Sequence, residues 1–210
     1  MDENKLKTGT TTLGMVCKDG VVLATEKRAT MGTLIAHRTT QKLFKIDDHI
    51  GLTVAGLVGD AQVLARYLQA EVELYRLTRN SSISVFGASS LMANILNQRK
   101  FAPYWVQLII GGIDKKGGHV FSLDAAGGSI EDVYTTTGSG SPYVFGILED
   151  QFSPDIKVDE GVELAVRAIS SAMRRDSASG DGISCSVITK KGFKEMSMDE
   201  LKPLIDKYKH

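Results

Sequence analysis

The chain has 210 residues, 42% hydrophobic and 24% charged, with 25 basic side chains balancing 25 acidic ones. That length is ample for one domain with a real core, and the charge balance builds in no strong pull towards nucleic acid or an anionic membrane. No run nears the ~20 apolar residues of a membrane span, the first residues lack the apolar centre of a secretory signal, and two cysteines in apolar strand-like runs, Cys17 and Cys185, point to a reducing, cytoplasmic compartment.

A polar leader, Met1 to Thr8, runs into Gly9, and Thr10-Thr11-Thr12 then opens a strand expected over Thr11 to Cys17. Lys18-Asp19-Gly20 makes a tight turn, and Val21 to Thr25 returns as the second arm of a hairpin. Glu26 to Thr30 reads as a polar loop, Lys42 to Ile46 as a strand, Asp47-Asp48-His49 as a turn, and Ile50 to Ala55 as a third long strand ended by Gly56. The period then changes. Val63, Leu64, Tyr67, Leu68, Val72 and Tyr75 fall on one helical face with Asp60 as the expected N-cap, and a second helix spans about Ser84 to Gln98. Tyr104 to Ile113, His119 to Asp124 and Ser129 to Thr135 read as strands separated by glycine turns. Val162, Ala165, Val166, Ile169 and Met173 mark an amphipathic helix ending near Arg175, followed by a strand, Ile183 to Thr189, and a terminal helix, Asp199 to Tyr208. Hairpins, two helices, more hairpins and more helices, with no repeat or linker, predict a single α+β domain of two stacked antiparallel sheets with helices outside both.

A threonine hydroxyl inside a chain is a poor nucleophile because nothing nearby removes its proton. Cutting between Gly9 and Thr10 would give Thr10 a free α-amine, a base of pKa about 8 within reach of its own Oγ. Other polar residues sit where the pattern has no structural use for them: Lys42 at a strand start, Glu26 at a strand end, Ser139 in Gly138-Ser139-Gly140-Ser141-Pro142, and Asp176 and Ser179 in a loop after a helix. Each has a plain alternative, since lysines guard strand edges, end-of-strand acids are solvated, and such loops are ordinary turns, the one with Pro142 leading into a helix. Gly56 to Asp60 places glycine amides at a strand-to-helix junction, a suitable place for oxyanion donors. Phosphate-loop and dinucleotide-binding glycine motifs are missing, the four histidines are scattered without an evident partner, and no zinc site or cofactor is suggested.

Six motifs occur together in one order: Thr10-Thr11-Thr12-Leu13-Gly14, Ala24-Thr25-Glu26-Lys27-Arg28, Lys42-Leu43-Phe44, Ala55-Gly56-Leu57-Val58-Gly59-Asp60, Gly138-Ser139-Gly140-Ser141-Pro142 and Arg175-Asp176-Ser177-Ala178-Ser179-Gly180. In this the chain closely resembles the catalytic β subunits of the 20S proteasome, the archaeal ones above all. The resemblance implies the four-layer αββα fold of the N-terminal-nucleophile hydrolases, a propeptide over residues 1–9 removed on maturation, and a catalytic domain over residues 10–210. It implies Thr10 as nucleophile and its freed amine as base, Lys42 lowering the hydroxyl pKa, and Glu26, usually an aspartate in the family, pairing with Lys42. Ser139, Asp176 and Ser179 would orient the new N-terminus, and the Gly56 amide would donate to the oxyanion. Ala29, Thr30, Val54 and Val58 would line an apolar pocket for the residue before the cut, with Thr30 also holding substrate backbone as an added strand. The partners implied are seven-membered β rings stacked face to face inside α-subunit rings, an unfolding ATPase cap, and unfolded protein substrates. A non-catalytic ring subunit of the same fold would lack the nucleophile or the lysine, and a small-amide hydrolase of the same class remains the other enzymatic reading.

Overall fold

A computed structural model of the chain describes residues 9–208. Of the expected propeptide only Gly9 lies among them; residues 1–8 lie outside the described residues. Thr12–Cys17 (β1) and Gly20–Glu26 (β2) form the first hairpin. Glu26 is the buried last residue of β2, not part of a polar loop, and the loop after it holds an unforeseen hairpin, Ala29–Met31 (β3) and Leu34–His37 (β4). Every β4 residue is exposed, so no apolar alternation marks this hairpin in the sequence.

Leu43–Asp47 (β5) and Ile50–Gly56 (β6) lead into Val58–Arg79 (α1) and Val85–Gln98 (α2). Asp60 is not the N-cap of α1. Leu57 holds that position, and the Asp60 carboxylate accepts the Trp105 amide at 2.9 Å instead. The buried stripe of α1 is Ala61, Leu64, Ala65, Leu68 and Val72; Tyr67 lies off that stripe and Tyr75 falls in residues 73–79, all of them exposed. Ser84 does cap α2, its Oγ accepting the Gly87 amide at 3.0 Å.

Val106–Asp114 (β7) and Gly117–Leu123 (β8) follow, and the strand expected over Ser129 to Thr135 proves to be two. Ser129–Asp132 (β9) pairs with β8 in one sheet, and Tyr134–Thr137 (β10) pairs with β1 in the other, so the chain changes sheet at Val133. Ser141–Gln151 (α3) starts with Pro142 in its first turn. Val158–Arg175 (α4) keeps the predicted stripe, Ile183–Thr189 (β11) the predicted bounds, and a four-residue strand, Gly192–Glu195 (β12), precedes Met198–Lys207 (α5). No helix among the described residues is long and apolar enough to cross a membrane.

The sheets run β10-β1-β2-β11-β12 and β5-β6-β7-β8-β9. Strand alternation divides their apolar residues among three cores. Ile50, Leu52, Val54, Leu108 and Ile110 turn towards α1 and α2; Leu13, Met15, Val22 and Ala24 turn towards α3 and α4; Val21, Leu23, Ile109, Val120 and Ile188 meet between the sheets. Three cores separate four layers, α, β, β and α. Leu23 fits between the sheets because Gly51 and Gly111 face it, where an added Cβ would lie 2.7 and 2.8 Å from its methyls. A side chain buried this completely contributes about 1.5–3 kcal/mol.

The register also decides where polar residues gather. Thr12, at the start of β1, lies opposite Thr25 of β2 and Thr137 of β10, and Glu26 lies opposite Ile183 at the start of β11. Thr10, Glu26, the turn after β10 and the loop before β11 therefore share one end of the first sheet. The start of β5 and the end of β6 supply Lys42 and Gly56 from the second.

Candidate active site

Thr10 is buried where these ends meet. Its Oγ1 donates to the Gly9 carbonyl at 2.6 Å and accepts from Lys42 Nζ at 3.0 Å. Lys42 Nζ makes two further hydrogen bonds, to Glu26 Oε1 and to the Arg28 carbonyl. Burial lowers the Lys42 ammonium from its ordinary 10.5 and raises the Glu26 carboxyl from 4.5, and in each case the partner's charge opposes the shift. The hydrogen-bond pattern matches the ammonium form of Lys42. All three partners of Nζ act as acceptors, Thr10 having committed its own proton to Gly9, and only an ammonium has three donors to give. Lys42 is thus a positive charge beside Oγ with no lone pair available for a proton.

Glu26 is anchored as fully. Oε1 also accepts the Thr11 amide at 3.3 Å, while Oε2 accepts the Arg28 amide at 2.7 Å and the Gly180 amide at 3.1 Å. Its length, one methylene beyond aspartate, serves to reach all of these and Lys42 together.

On the other side, the Thr10 nitrogen donates to Ser139 Oγ at 3.2 Å. Ser139 Oγ and Ser179 Oγ each donate to Asp176 Oδ2 at 2.6 Å, and Thr11 Oγ1 meets Ser179 Oγ at 2.6 Å. The three residues expected to orient the N-terminus form one connected chain of hydrogen bonds ending on a carboxylate.

Gly56 follows from the ladder. The Leu57 amide bonds to the Trp105 carbonyl at 2.9 Å, so in antiparallel alternation the Gly56–Val106 pair is a non-hydrogen-bonded one. The Gly56 amide therefore faces the β5 side, two residues past the bond from the Val54 amide to the Lys42 carbonyl, where β5 has not yet begun. Gly56 has φ +137°, and a Cβ there would lie 1.9 Å from the Trp105 carbonyl oxygen. Only glycine gives this amide its direction.

A cavity opens beside Thr10, and all four expected pocket residues, Ala29, Thr30, Val54 and Val58, line it together with Gly9, Lys42 and Gly56. Thr40, Gln41 and Ala61 also line it and carry no signal in the sequence. Thr30 Oγ1 accepts the Gly9 amide at 3.3 Å, so the end of the leader already occupies the mouth of the pocket. Gly9 has no room for a side chain: a Cβ would meet Ala178 Cβ at 1.9 Å and Ser139 Oγ at 2.7 Å.

Sequence reasoning assigned no role to Arg28. Its Nε donates to Asp181 Oδ2 at 2.7 Å and its Nη1 to the Ser177 carbonyl at 2.9 Å, clasping the loop that carries Asp176 and Ser179. The pair is 153 residues apart in the chain, which hides it from any local pattern. Two histidines do have carboxylate partners, His49 with Asp47 at 3.3 Å and His119 with Glu131 at 2.5 Å, but both lie away from Thr10 on the turn after β5 and on β8.

A family model describing proteasome subunits matches residues 6–188. A protein named proteasome subunit beta from Thermoplasma acidophilum is 55% identical over 203 residues, 96% of either chain. Its counterpart from Archaeoglobus profundus is 53% identical over 97% of this chain and 95% of its own, and that from Methanothermobacter thermautotrophicus 52% identical over 98% of both. With that match over most of its length and a threonine held by a buried lysine, the chain belongs to the proteasome subunit family and is one of its threonine endopeptidases.

Proposed function

We propose that Thr10 is both the nucleophile and, once its amine is free, the base of this peptidase. The observation that carries the reading is the ammonium of Lys42, 3.0 Å from Thr10 Oγ1 with all three N–H groups committed. It stabilises a developing alkoxide but has no lone pair to take the proton, so the base must be another group. The Thr10 nitrogen, held by Ser139, becomes such a base when the bond to Gly9 is cut.

Maturation uses the same parts. Thr10 Oγ attacks the Gly9 carbonyl carbon, its proton passing through a water to the Thr10 nitrogen as the C–O bond forms and the C–N bond breaks, and the resulting ester leaves the amine free. Water then hydrolyses the ester and releases the leader, residues 1–9, as a carboxylate. In turnover, Oγ attacks the substrate carbonyl while the amine takes its proton, directly or through a water, and the Gly56 amide stabilises the oxyanion. The amine passes the proton to the leaving nitrogen, and water activated by the same amine cleaves the acyl-enzyme. A pocket walled by Ala29, Val54 and Val58, in which the one cation is fully engaged, favours cleavage after hydrophobic residues, with Thr30 holding substrate backbone.

The relatives are named proteasome subunit beta; we infer that this chain builds seven-membered β rings inside α rings, served by an unfolding ATPase and supplied with unfolded proteins in the cytoplasm. The test is turnover of peptides with a reporter after a hydrophobic residue by assembled wild type, Thr10→Ala and Thr10→Ser. Thr10→Ala is inactive, and Thr10→Ser, which keeps a hydroxyl beside Lys42, retains measurable activity. Normal turnover by Thr10→Ala would sink the reading.

A further inference from the structure

Gln107 lies on β7, opposite Ala55 of β6, and so belongs to the sheet that carries Gly56. Its side chain leaves that sheet: Oε1 accepts the Gly138 amide at 3.1 Å. Gly138 begins the turn of the other sheet that presents Ser139. The turn is pressed against Thr10. Gly138 has φ +92°, a Cβ on it would lie 2.1 Å from the Thr10 carbonyl oxygen, and the Gly140 amide donates to that same oxygen at 3.4 Å. The Ser141 amide closes the turn on the Gly138 carbonyl at 3.2 Å. Ser139 Oγ, between these points, receives the Thr10 nitrogen.

We propose that Gln107 is a positioning residue for the peptidase reaction. By gripping the Gly138 amide it fixes the distance between the sheet bearing the Gly56 oxyanion amide and the turn bearing Ser139, and so sets how firmly the Thr10 amine is held. Gln107 does not line the pocket beside Thr10, though it lines a neighbouring cavity with Gly56 and Ser139; it acts on Thr10 through Gly138. A hydrogen bond from the amine to Ser139 favours the ammonium form, because a charged N–H donates more strongly than a neutral one. Slackening the turn weakens that bond and lowers the amine pKa.

The proposal rests on the Thr10 amine being the base, and the test keeps the two apart. Assembled, matured wild type, Gln107→Met and Gln107→Glu are compared for kcat and KM across pH, with Thr10→Ala alongside. Gln107→Met keeps the length and loses the acceptor; Gln107→Glu keeps the acceptor. The expected result is kcat about three- to tenfold lower in Gln107→Met with KM held, the range one neutral hydrogen bond commands. The acid limb of its pH profile moves to lower pH, and Gln107→Glu restores most of kcat. Equal loss in both variants, wild-type behaviour in both, or a change confined to KM overturns the proposal. If Gln107→Met does not assemble, Gln107→Asn, whose amide is one methylene too short, carries the same expectations. An active Thr10→Ala would instead condemn the nucleophile assignment.

Discussion

Thr10 is held differently on its two sides. Its oxygen faces a buried ion pair, Lys42 with Glu26, in which every donor and acceptor is engaged. Its nitrogen faces neutral hydroxyls that pass hydrogen bonds to a single carboxylate, Asp176, in a loop open to solvent on one side. The difference fits the roles proposed for the two sides. A charge meant to stabilise an alkoxide gains from low dielectric and must not move. A group that takes up and gives back a proton has to stay near its amine in both protonation states, and hydroxyls, which donate or accept, allow that.

The two sides should also break differently. Lys42→Met strands the Glu26 carboxylate in a buried site, abolishes peptidase activity and costs about 3–5 kcal/mol in urea unfolding. Adding Glu26→Gln removes the stranded charge while keeping an oxygen for the backbone amides, so half or more of that loss returns, without activity. The pH dependence of the single variant has a definite sign. Burial already holds the folded-state pKa of Glu26 above 4.5, and losing Lys42 raises it further. The folded state then binds a proton that the unfolded chain does not, so the deficit against wild type shrinks as pH falls from 8 towards 5 and grows as pH rises. A deficit that widens on acidification would show that Glu26 is not the stranded charge.

Ser139→Ala probes the nitrogen side, removing the acceptor of the Thr10 nitrogen and one donor to the partly exposed Asp176 carboxylate. Activity falls about tenfold and stability changes by about 1 kcal/mol or less. A stability loss as large as that of Lys42→Met would erase the contrast between the sides. Gly9→Val sharpens it from the leader's end. The added side chain collides with Ala178 and Ser139, pushing the Gly9 carbonyl away from Oγ, so release of the leader slows severalfold while the matured enzyme, having lost residue 9, turns over as wild type. An unchanged time course of leader loss by mass spectrometry would speak against that packing.

Much of this was legible in the sequence. Apolar runs located β1, β2 and β11, which face a core on both sides, period 3.6 located α4, and the layered class followed from the order of the elements. The β3–β4 hairpin and β12 escaped since they bury little, and β9 and β10 merged because a change of sheet at Val133 leaves no mark in the local pattern. At the site, threonine after glycine and a lysine opening a strand suggested chemistry, while the motif set supplied the grouping. Arg28 with Asp181 and Gln107 with Gly138 stayed hidden, because register alone brings them together.

The most direct measurement is the intact mass of wild type and Thr10→Ala after co-assembly with an α-ring partner. The account predicts that wild type loses the mass of residues 1–9 and that Thr10→Ala keeps it, since the hydroxyl beside the Gly9 carbonyl is what cuts there. A Thr10→Ala chain that loses its leader as wild type does would mean that another protease makes the cut, and would contradict self-release by Thr10.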